Sequence, residues 1–157
     1  MNEVTTTEAT EVVTKTPTDL FLMFGIDEHR AEGGSPMELG GTTFRVLPLN
    51  APRYRAAYQK MLAEINAKFG QESVEDSVED IIAREAYFKK AHRKLLAKHI
   101  IVSWDSLVFR GKATTGYDAE VAEALTGMDA FVDTLIEHAN NRKNYAATSI
   151  TEAEAKN

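Results

Sequence analysis

The 157 residues contain 43% hydrophobic and 27% charged side chains, which is ordinary for one globular domain with its own core. The chain has no cysteine, which excludes disulfides, thiolate metal sites and cysteine nucleophiles. With 24 acidic against 18 basic side chains the net charge is −6, so nucleic acid is a poor partner for the chain as a whole.

Both ends of the sequence are polar. Residues 1–17 are rich in Thr and Glu, and residues 147–157 (ATSITEAEAKN) are similar in character. Such segments bury too little surface to offset the entropy lost on ordering, so we expect two flexible arms around one helical domain at 18–146. The start lacks the basic and apolar regions of a secretory signal, and no apolar run approaches the roughly 20 residues that cross a bilayer. We therefore expect a soluble protein of the cytoplasm that has no membrane partner.

The folded part is predicted to begin with an apolar run and a β-hairpin. Residues 20–26 (LFLMFGI) fit either a core strand or one helical turn. Near 37–49 the sequence MELGGTTFRVLPL places Gly40-Gly41 between two short extended segments, which predicts a hairpin. Pro48 ends the second strand. Because two strands alone are marginal in water, the hairpin should pack on helices.

Two long amphipathic helices are predicted next. The first runs from Asn50, its expected N-cap, to Gly70, its expected C-cap. Its apolar residues recur at helical spacing: Tyr54, Tyr58, Met61, Leu62, Ile65 and Phe69. The second follows the repeated SVED tetrapeptide (73–80), whose second copy has the spacing of a capping box that begins at Ser77. This helix is predicted from about Val78 to about Val102. Its expected buried face consists of Val78, Ile81, Ile82, Phe88, Leu95, Leu96 and Ile100.

The segment after the second helix is interpreted as a helix end followed by loops. Residues 103–106 (SWDS) are expected to close the helix, with Trp104 in the core. Gly111 and Gly116 mark a turn and a loop.

Two further helices complete the prediction. Asp118 is expected to cap a short helix that ends by Gly127, and a last helix is predicted from about Asp129 to about Tyr145. The predicted fold class is therefore mainly α, with about four helices and one short N-terminal β-hairpin.

Potential metal ligands lie on one face of the second predicted helix. Glu85, His92 and His99 are a carboxylate and two imidazoles, which is a metal-ligand set in kind. Their spacing of seven residues separates successive side chains by roughly 10 Å along the axis, so one ion would need ligands from another helix, such as His138. We favour the interpretation that these are polar residues within a packing face. The nearby basic segment 89–99 is interpreted as a solvated surface, partly offset by the acidic SVED segment.

The sequence also departs from the motifs for phosphate binding and for nucleophilic catalysis. RGKATTG (110–116) has the Gly-Lys pair of a phosphate-binding loop, but Ser106 stands where that motif needs its first Gly, and Ala113 follows the Lys. No serine lies in a nucleophile elbow, and the paired carboxylates lie in polar surroundings. The sequence therefore predicts no enzyme, no cofactor and no metal.

Two stretches resemble a known family. The first is TTFRVLPLNAPRYRAAYQKML, in which an extended segment leads to Asn50 and an aromatic-bearing helix. The second is KHIIVSWDSLVFRGKATTGYDAEVAEALTGMDAFVDTLIEHANNRKNYAA, with a Trp, a Gly-Lys turn, a Tyr-Asp helix start and a last helix that ends in Asn-Tyr. Over roughly 40–147 the order of these features resembles the tail assembly chaperones of long-tailed (siphovirus-type) bacteriophages.

The resemblance implies a role in binding other proteins. Such chaperones bind the long helical tape-measure protein, prevent its aggregation and help to recruit tail-tube subunits. They work in the host cytoplasm and are typically absent from the mature virion. Many are made in two lengths by a programmed ribosomal frameshift. Five aromatic residues are candidates for partner contacts, although each also fits a core position: Tyr54, Tyr58, Trp104, Phe131 and Tyr145.

Two other functions stay open. A structural virion protein, such as a minor tail or head–tail connector component, would use the same helices for permanent subunit contacts. A small metal- or nucleotide-dependent enzyme is the third alternative, and the failed motifs argue against it. Amphipathic helices in a small acidic domain suit an apolar groove laid along a partner helix, and self-association is compatible with the same surfaces.

Overall fold

The computed structural model describes Leu20 and residues 24–147, which form five α-helices, four strands and one 3₁₀-helix. In chain order these are α1 (Glu28–Gly33), β1 (Ser35–Leu39), β2 (Thr42–Val46), α2 (Pro52–Phe69), α3 (Val78–His99), β3 (Ile101–Phe109), β4 (Lys112–Gly116), α4 (Ala119–Thr126), α5 (Asp129–Asn140) and the 3₁₀-helix (Arg142–Tyr145).

The polar segments at the ends fall almost entirely outside the described residues. This holds for the predicted arm at 1–17 and for the predicted tail at 147–157 apart from Ala147. The Ala147 N–H donates to the carbonyl of Gly25 at 2.9 Å, and Ile26 forms an antiparallel bridge with Ala146. Residues 25–27 are therefore paired with residues 145–147.

The fold is mixed α/β, so the prediction of a mainly α protein with one short hairpin is wrong. The four strands form one antiparallel sheet in the order β1-β2-β3-β4. The hairpin with its turn at Gly40-Gly41 is present, but β2 pairs with β3 instead of forming an edge. The residues after His99, which were predicted to form a helix end and a loop, form the β3–β4 hairpin instead.

The end of α3 was misplaced because the apolar pattern does not change where the helix becomes a strand. Ile100, the C-cap, and Ile101, the first residue of β3, are both fully buried. A continuous buried run fits the helical period as well as the strand period, so it hides the boundary. Trp104 lies in the core, as expected, but on a strand.

The core lies between one face of the sheet and α5. Alternate residues of β2 point inward, and among them Phe44 packs edge-to-face on Trp104 of β3 (centroids 6.1 Å apart) and on Phe131 of α5 (5.6 Å). Leu135 of α5 is fully buried beside them. Burying each large apolar side chain contributes roughly 1.5–3 kcal/mol, so this layer fixes α5 on the sheet.

Helices α2 and α3 form an antiparallel pair. Tyr54, Tyr58 and Phe69 of α2 meet successively earlier residues of α3, down to Tyr87. The N-cap of α2 is Ala51, without a side-chain hydrogen bond, so the predicted cap at Asn50 is wrong by one residue. No described helix combines the length and the apolar composition that crossing a bilayer requires.

The predicted starts of α3 and α4 are confirmed at the level of single hydrogen bonds. The Ser77 hydroxyl accepts from the Asp80 N–H, and the Asp118 carboxylate accepts from the Val121 N–H. These contacts satisfy backbone donors that a helix start leaves free. Helix α4 packs against α3, and α5 ends at Asn140, earlier than predicted, with a 3₁₀ turn up to Tyr145.

Candidate partner-binding surfaces

Four of the five aromatic residues predicted to contact partners are buried: Tyr54, Trp104, Phe131 and Tyr145. The Trp104 Nε1–H donates to Thr114 Oγ1 at 3.0 Å, and the Tyr145 hydroxyl donates to the Val46 carbonyl at 2.9 Å. Their polar atoms are therefore used within the fold, and their rings leave little area for a partner.

Tyr54 and the fifth residue, Tyr58, belong to an aromatic cluster with Phe88 and His92 between α2 and α3. Tyr54 is buried and its hydroxyl lies 2.9 Å from His92 Nε2, while half-buried Tyr58 meets the His92 ring edge-to-face. Burial, with a smaller effect of Tyr58, raises the pKa of Tyr54 to about 12, and burial lowers the pKa of His92. Both groups are therefore neutral at neutral pH, and the hydrogen bond between them joins two uncharged side chains.

An open groove runs along the start of α2 and the end of α5. It consists of two cavities of about 570 Å³ and about 480 Å³, which share Leu49, Asn50 and Asn140. The further lining residues of the first are Ile26, Ala31, Glu32, Pro48, Ala51, Pro52, Ala139, Arg142 and Tyr145. Those of the second are Tyr54, Arg55, Tyr58, Gln59, His92 and Ile136. Three of the predicted contact residues, Tyr54, Tyr58 and Tyr145, thus line one continuous surface.

The lining of the groove is suited to apolar side chains. Its apolar surface comes from partly exposed residues such as Ile26, Leu49 and Ile136. Its charged groups, Glu32, Arg55 and Arg142, are all on partly or fully exposed residues. A concave apolar surface with polar groups at its margin is typical of protein recognition.

A second apolar surface lies where the first turns of α3 extend past the end of α2. Arg84 Nη2 donates to Asn66 Oδ1 and to the Gly70 carbonyl, both at 2.7 Å, so the end of α2 lies level with Arg84. We call the part beyond it, residues 72–82, the overhang. Val78 is 68% exposed and Ile82 is 60% exposed.

The predicted buried face of α3 is therefore wrong at its N-terminal end. Val78, Ile81 and Ile82 are exposed, whereas Leu95, Leu96 and Ile100 are buried as expected. A helical stripe shows which residues share a face, but it does not show how far the neighbouring helix reaches along that face.

The potential metal ligands on α3 do not meet. Glu85 is exposed, His92 is part of the aromatic cluster, and His99 lies one residue before the helix end. Among the residues that the structure describes, no group of three or more His, Asp or Glu side chains could hold an ion. The interpretation of these residues as part of a packing face is confirmed for His92.

One contact that the sequence did not predict joins a serine and a histidine. Ser35 Oγ lies 2.7 Å from His138 Nε2, with 103 positions between them in the chain, so no local motif could reveal the pair. Ser35 is 1% exposed, which leaves no access for a substrate. The contact therefore satisfies a buried hydroxyl and gives no sign of nucleophilic catalysis.

The Gly111-Lys112 segment is a hairpin turn, as interpreted from the sequence. Arg110 and Gly111 both have positive φ values, 51° and 80°, and they connect β3 to β4. No helix begins there, so the backbone donors of a phosphate-binding loop are missing from this turn.

Basic side chains of α3 line a depression against α4. Lys89, Lys90, Arg93 and Lys94 surround about 400 Å³ together with Ala86, Glu123, Thr126 and Gly127. Asp129 lies 3.2 Å from Lys89 Nζ and also pairs with Arg93, and these contacts lower its pKa. The positive charge of these side chains is therefore partly offset by Asp129. The sequence had suggested that the acidic SVED segment would offset it instead.

Comparison with known proteins places the chain in a family. Neither the curated proteins nor the solved structures contain a match. The model of a family described as YdaY prophage protein matches residues 49–157, which include α2 to α5 and most of the groove lining. The chain therefore belongs to the YdaY prophage protein family and is a phage-derived protein.

Proposed function

We propose that this prophage protein is a tail assembly chaperone, which binds the tape-measure protein and helps to recruit tail-tube subunits. Its family membership and the resemblance of residues 40–147 to such chaperones support this assignment. The proposal places the protein in the host cytoplasm and not in the finished virion. A longer form made by frameshifting belongs to the same proposal.

The groove between α2 and α5 is the observation that carries the proposal. A helix that presents apolar residues at positions i, i+3, i+4 and i+7 can lay them into such a surface. Each large apolar side chain that it buries contributes roughly 1.5–3 kcal/mol, so a few such residues suffice for stable binding. The long helical tape-measure protein offers many segments of this kind.

Filling the groove tests the proposal. Asn140 lines both cavities and is exposed, so Asn140→Trp should block the groove without removing a core side chain. Glu137→Trp is the matched control, because Glu137 is exposed on the same helix but lines neither cavity. Each variant is produced together with the tape-measure protein of the same prophage, and the soluble complex is recovered through a tag on this chain.

The wild-type chain and Glu137→Trp should keep the tape-measure protein soluble and retain it. Asn140→Trp should recover roughly tenfold less, the effect of losing about 1.4 kcal/mol of binding free energy. Equal recovery with both variants, or no complex with the wild-type chain, would contradict the proposal. Presence of the chain in purified particles would instead favour a structural virion protein.

A further inference from the structure

The overhang is an apolar helix face without a partner in the described structure. Nine successive residues of the linker and the first turns of α3 contain four exposed large apolar side chains: Val74, Val78, Ile81 and Ile82. Large apolar side chains that cluster on a surface in this way indicate a contact with another molecule. The groove does not include any of them, so the overhang is a separate surface.

The charge around these residues limits what can cover them. The overhang contains five carboxylates and no basic residue: Glu72, Glu75, Asp76, Glu79 and Asp80. The ion pairs found within the described residues join Arg30 to Asp27 and Asp129 to Lys89 and Arg93, so none neutralises the overhang. Contact between the overhangs of two copies is unfavourable, because their carboxylates would repel each other. The overhang would be complemented by a surface that carries basic side chains around an apolar depression.

The depression on α3 and α4 has these properties. Lys89, Lys90, Arg93 and Lys94 outnumber Glu123, the acidic residue of its lining, so the depression is positively charged. The small residues Ala86, Thr126 and Gly127 leave room for branched side chains. Lys90 and Lys94 are exposed, and neither takes part in the ion pairs of the described structure.

The same copy cannot join its own two surfaces. Both lie along α3, and at 1.5 Å per residue the roughly eleven positions between their centres correspond to about 16 Å of rigid helix. The contact must therefore form between two molecules.

We propose that the overhang of one copy docks into the basic depression of a second copy. Because two different surfaces meet, the contact is head-to-tail and leaves one free overhang and one free depression at the ends of each assembly. Copies can therefore add successively into a row. The groove is not used, so self-association and guest binding can be tested separately.

Charge reversal tests this contact. The tip variant changes the overhang through Glu75→Lys and Glu79→Lys, which leave the capping pair of Ser77 and Asp80 intact. The face variant changes the depression through Lys90→Glu and Lys94→Glu. All four positions are exposed, so folding should be retained, and thermal unfolding checks this for each full-length variant.

Sedimentation velocity over a series of concentrations measures the association. The wild-type chain should form species larger than a dimer at about 0.1 M salt and fewer at about 1 M, where the Debye length falls from about 10 Å to about 3 Å. Each variant alone should associate at least about tenfold more weakly, because the overhang of the tip variant has a net charge of −1 in place of −5, and the depression of the face variant, with Glu123, has −1 in place of +3.

Mixing the tip and face variants should restore association into pairs, because the unchanged overhang of a face variant can dock into the unchanged depression of a tip variant. A chain with all four substitutions should stay dissociated, because neither of its two surfaces is then unchanged. A wild-type chain that stays monomeric at every concentration would overturn the proposal. So would association that neither variant weakens, or a mixture that stays as dissociated as its components.

Discussion

Three histidines whose pKa values are lowered are partly buried in the fold. His92 is hydrogen-bonded to the Tyr54 hydroxyl, and His138 to the hydroxyl of buried Ser35. Burial lowers the pKa of both histidines, and of His99 as well, where Arg53 and Lys98 add to the effect. These histidines are therefore neutral in the folded protein at neutral pH.

The free energy of unfolding should consequently fall in mild acid. Above the ordinary histidine pKa of 6.5 both states are neutral and stability does not depend on these groups. As the pH falls below this value, the unfolded chain binds protons that the folded chain does not, so unfolding becomes easier. Chemical denaturation should give a lower free energy of unfolding at about pH 5.5 than at about pH 7.5, within the window where unfolded histidines titrate.

The double variant His92→Gln with His138→Gln serves as the control. It should lose most of this dependence, because glutamine keeps a hydrogen-bonding group but does not titrate in this range. Equal free energies of unfolding at the two pH values for the wild-type chain would contradict the assigned pKa directions.

At the scale of elements, the junction of α1 and β1 depends on one glycine. Gly34 has φ = 90°, and a Cβ atom there would lie 2.9 Å from the backbone nitrogen of Val46. Both the positive φ and the close approach favour glycine. The strand β1 can therefore begin beside β2 only if this position carries no side chain.

Gly34→Ala should lower the free energy of unfolding by about 1–3 kcal/mol, the cost of a strained backbone conformation. Gly33→Ala is the matched control, because it lies in α1 and its Cβ would meet nothing within 4 Å. That change should be neutral or stabilising by up to about 1 kcal/mol. Urea denaturation of both variants decides the point, and equal stabilities would show that the junction tolerates a side chain.

The sequence predicted the elements that local signals define. The Gly40-Gly41 hairpin, the body of α2 and the caps at Ser77 and Asp118 each depend on neighbouring residues. The β3–β4 hairpin was missed because the buried run through Ile101 continues the helical stripe without a break.

The candidate surfaces were harder to predict than the elements. The groove brings together Ile26, Leu49 and Asn140, which are far apart in the chain, and only the folded structure joins them. Val78, Ile81 and Ile82 of the overhang were predicted to be buried, because periodicity cannot locate the end of α2, which leaves them uncovered, relative to α3.

For the whole molecule, the net charge of −6 conceals a separation of charge along α3. The overhang is acidic, while the following turns carry Lys89, Lys90, Arg93 and Lys94. The groove lies apart from both and is largely apolar. The two proposals therefore assign the guest helix and the second copy of the molecule to different surfaces.

Site-specific photo-crosslinking during prophage induction tests the central claim most directly. A photoreactive amino acid is placed at position 140, in the groove, or at position 137, outside it. The account predicts a crosslink to the tape-measure protein from position 140 and none from position 137, with the crosslinked product absent from purified particles. Equal crosslinking from both positions, or none from position 140, would contradict the claim that the groove holds the tape-measure protein.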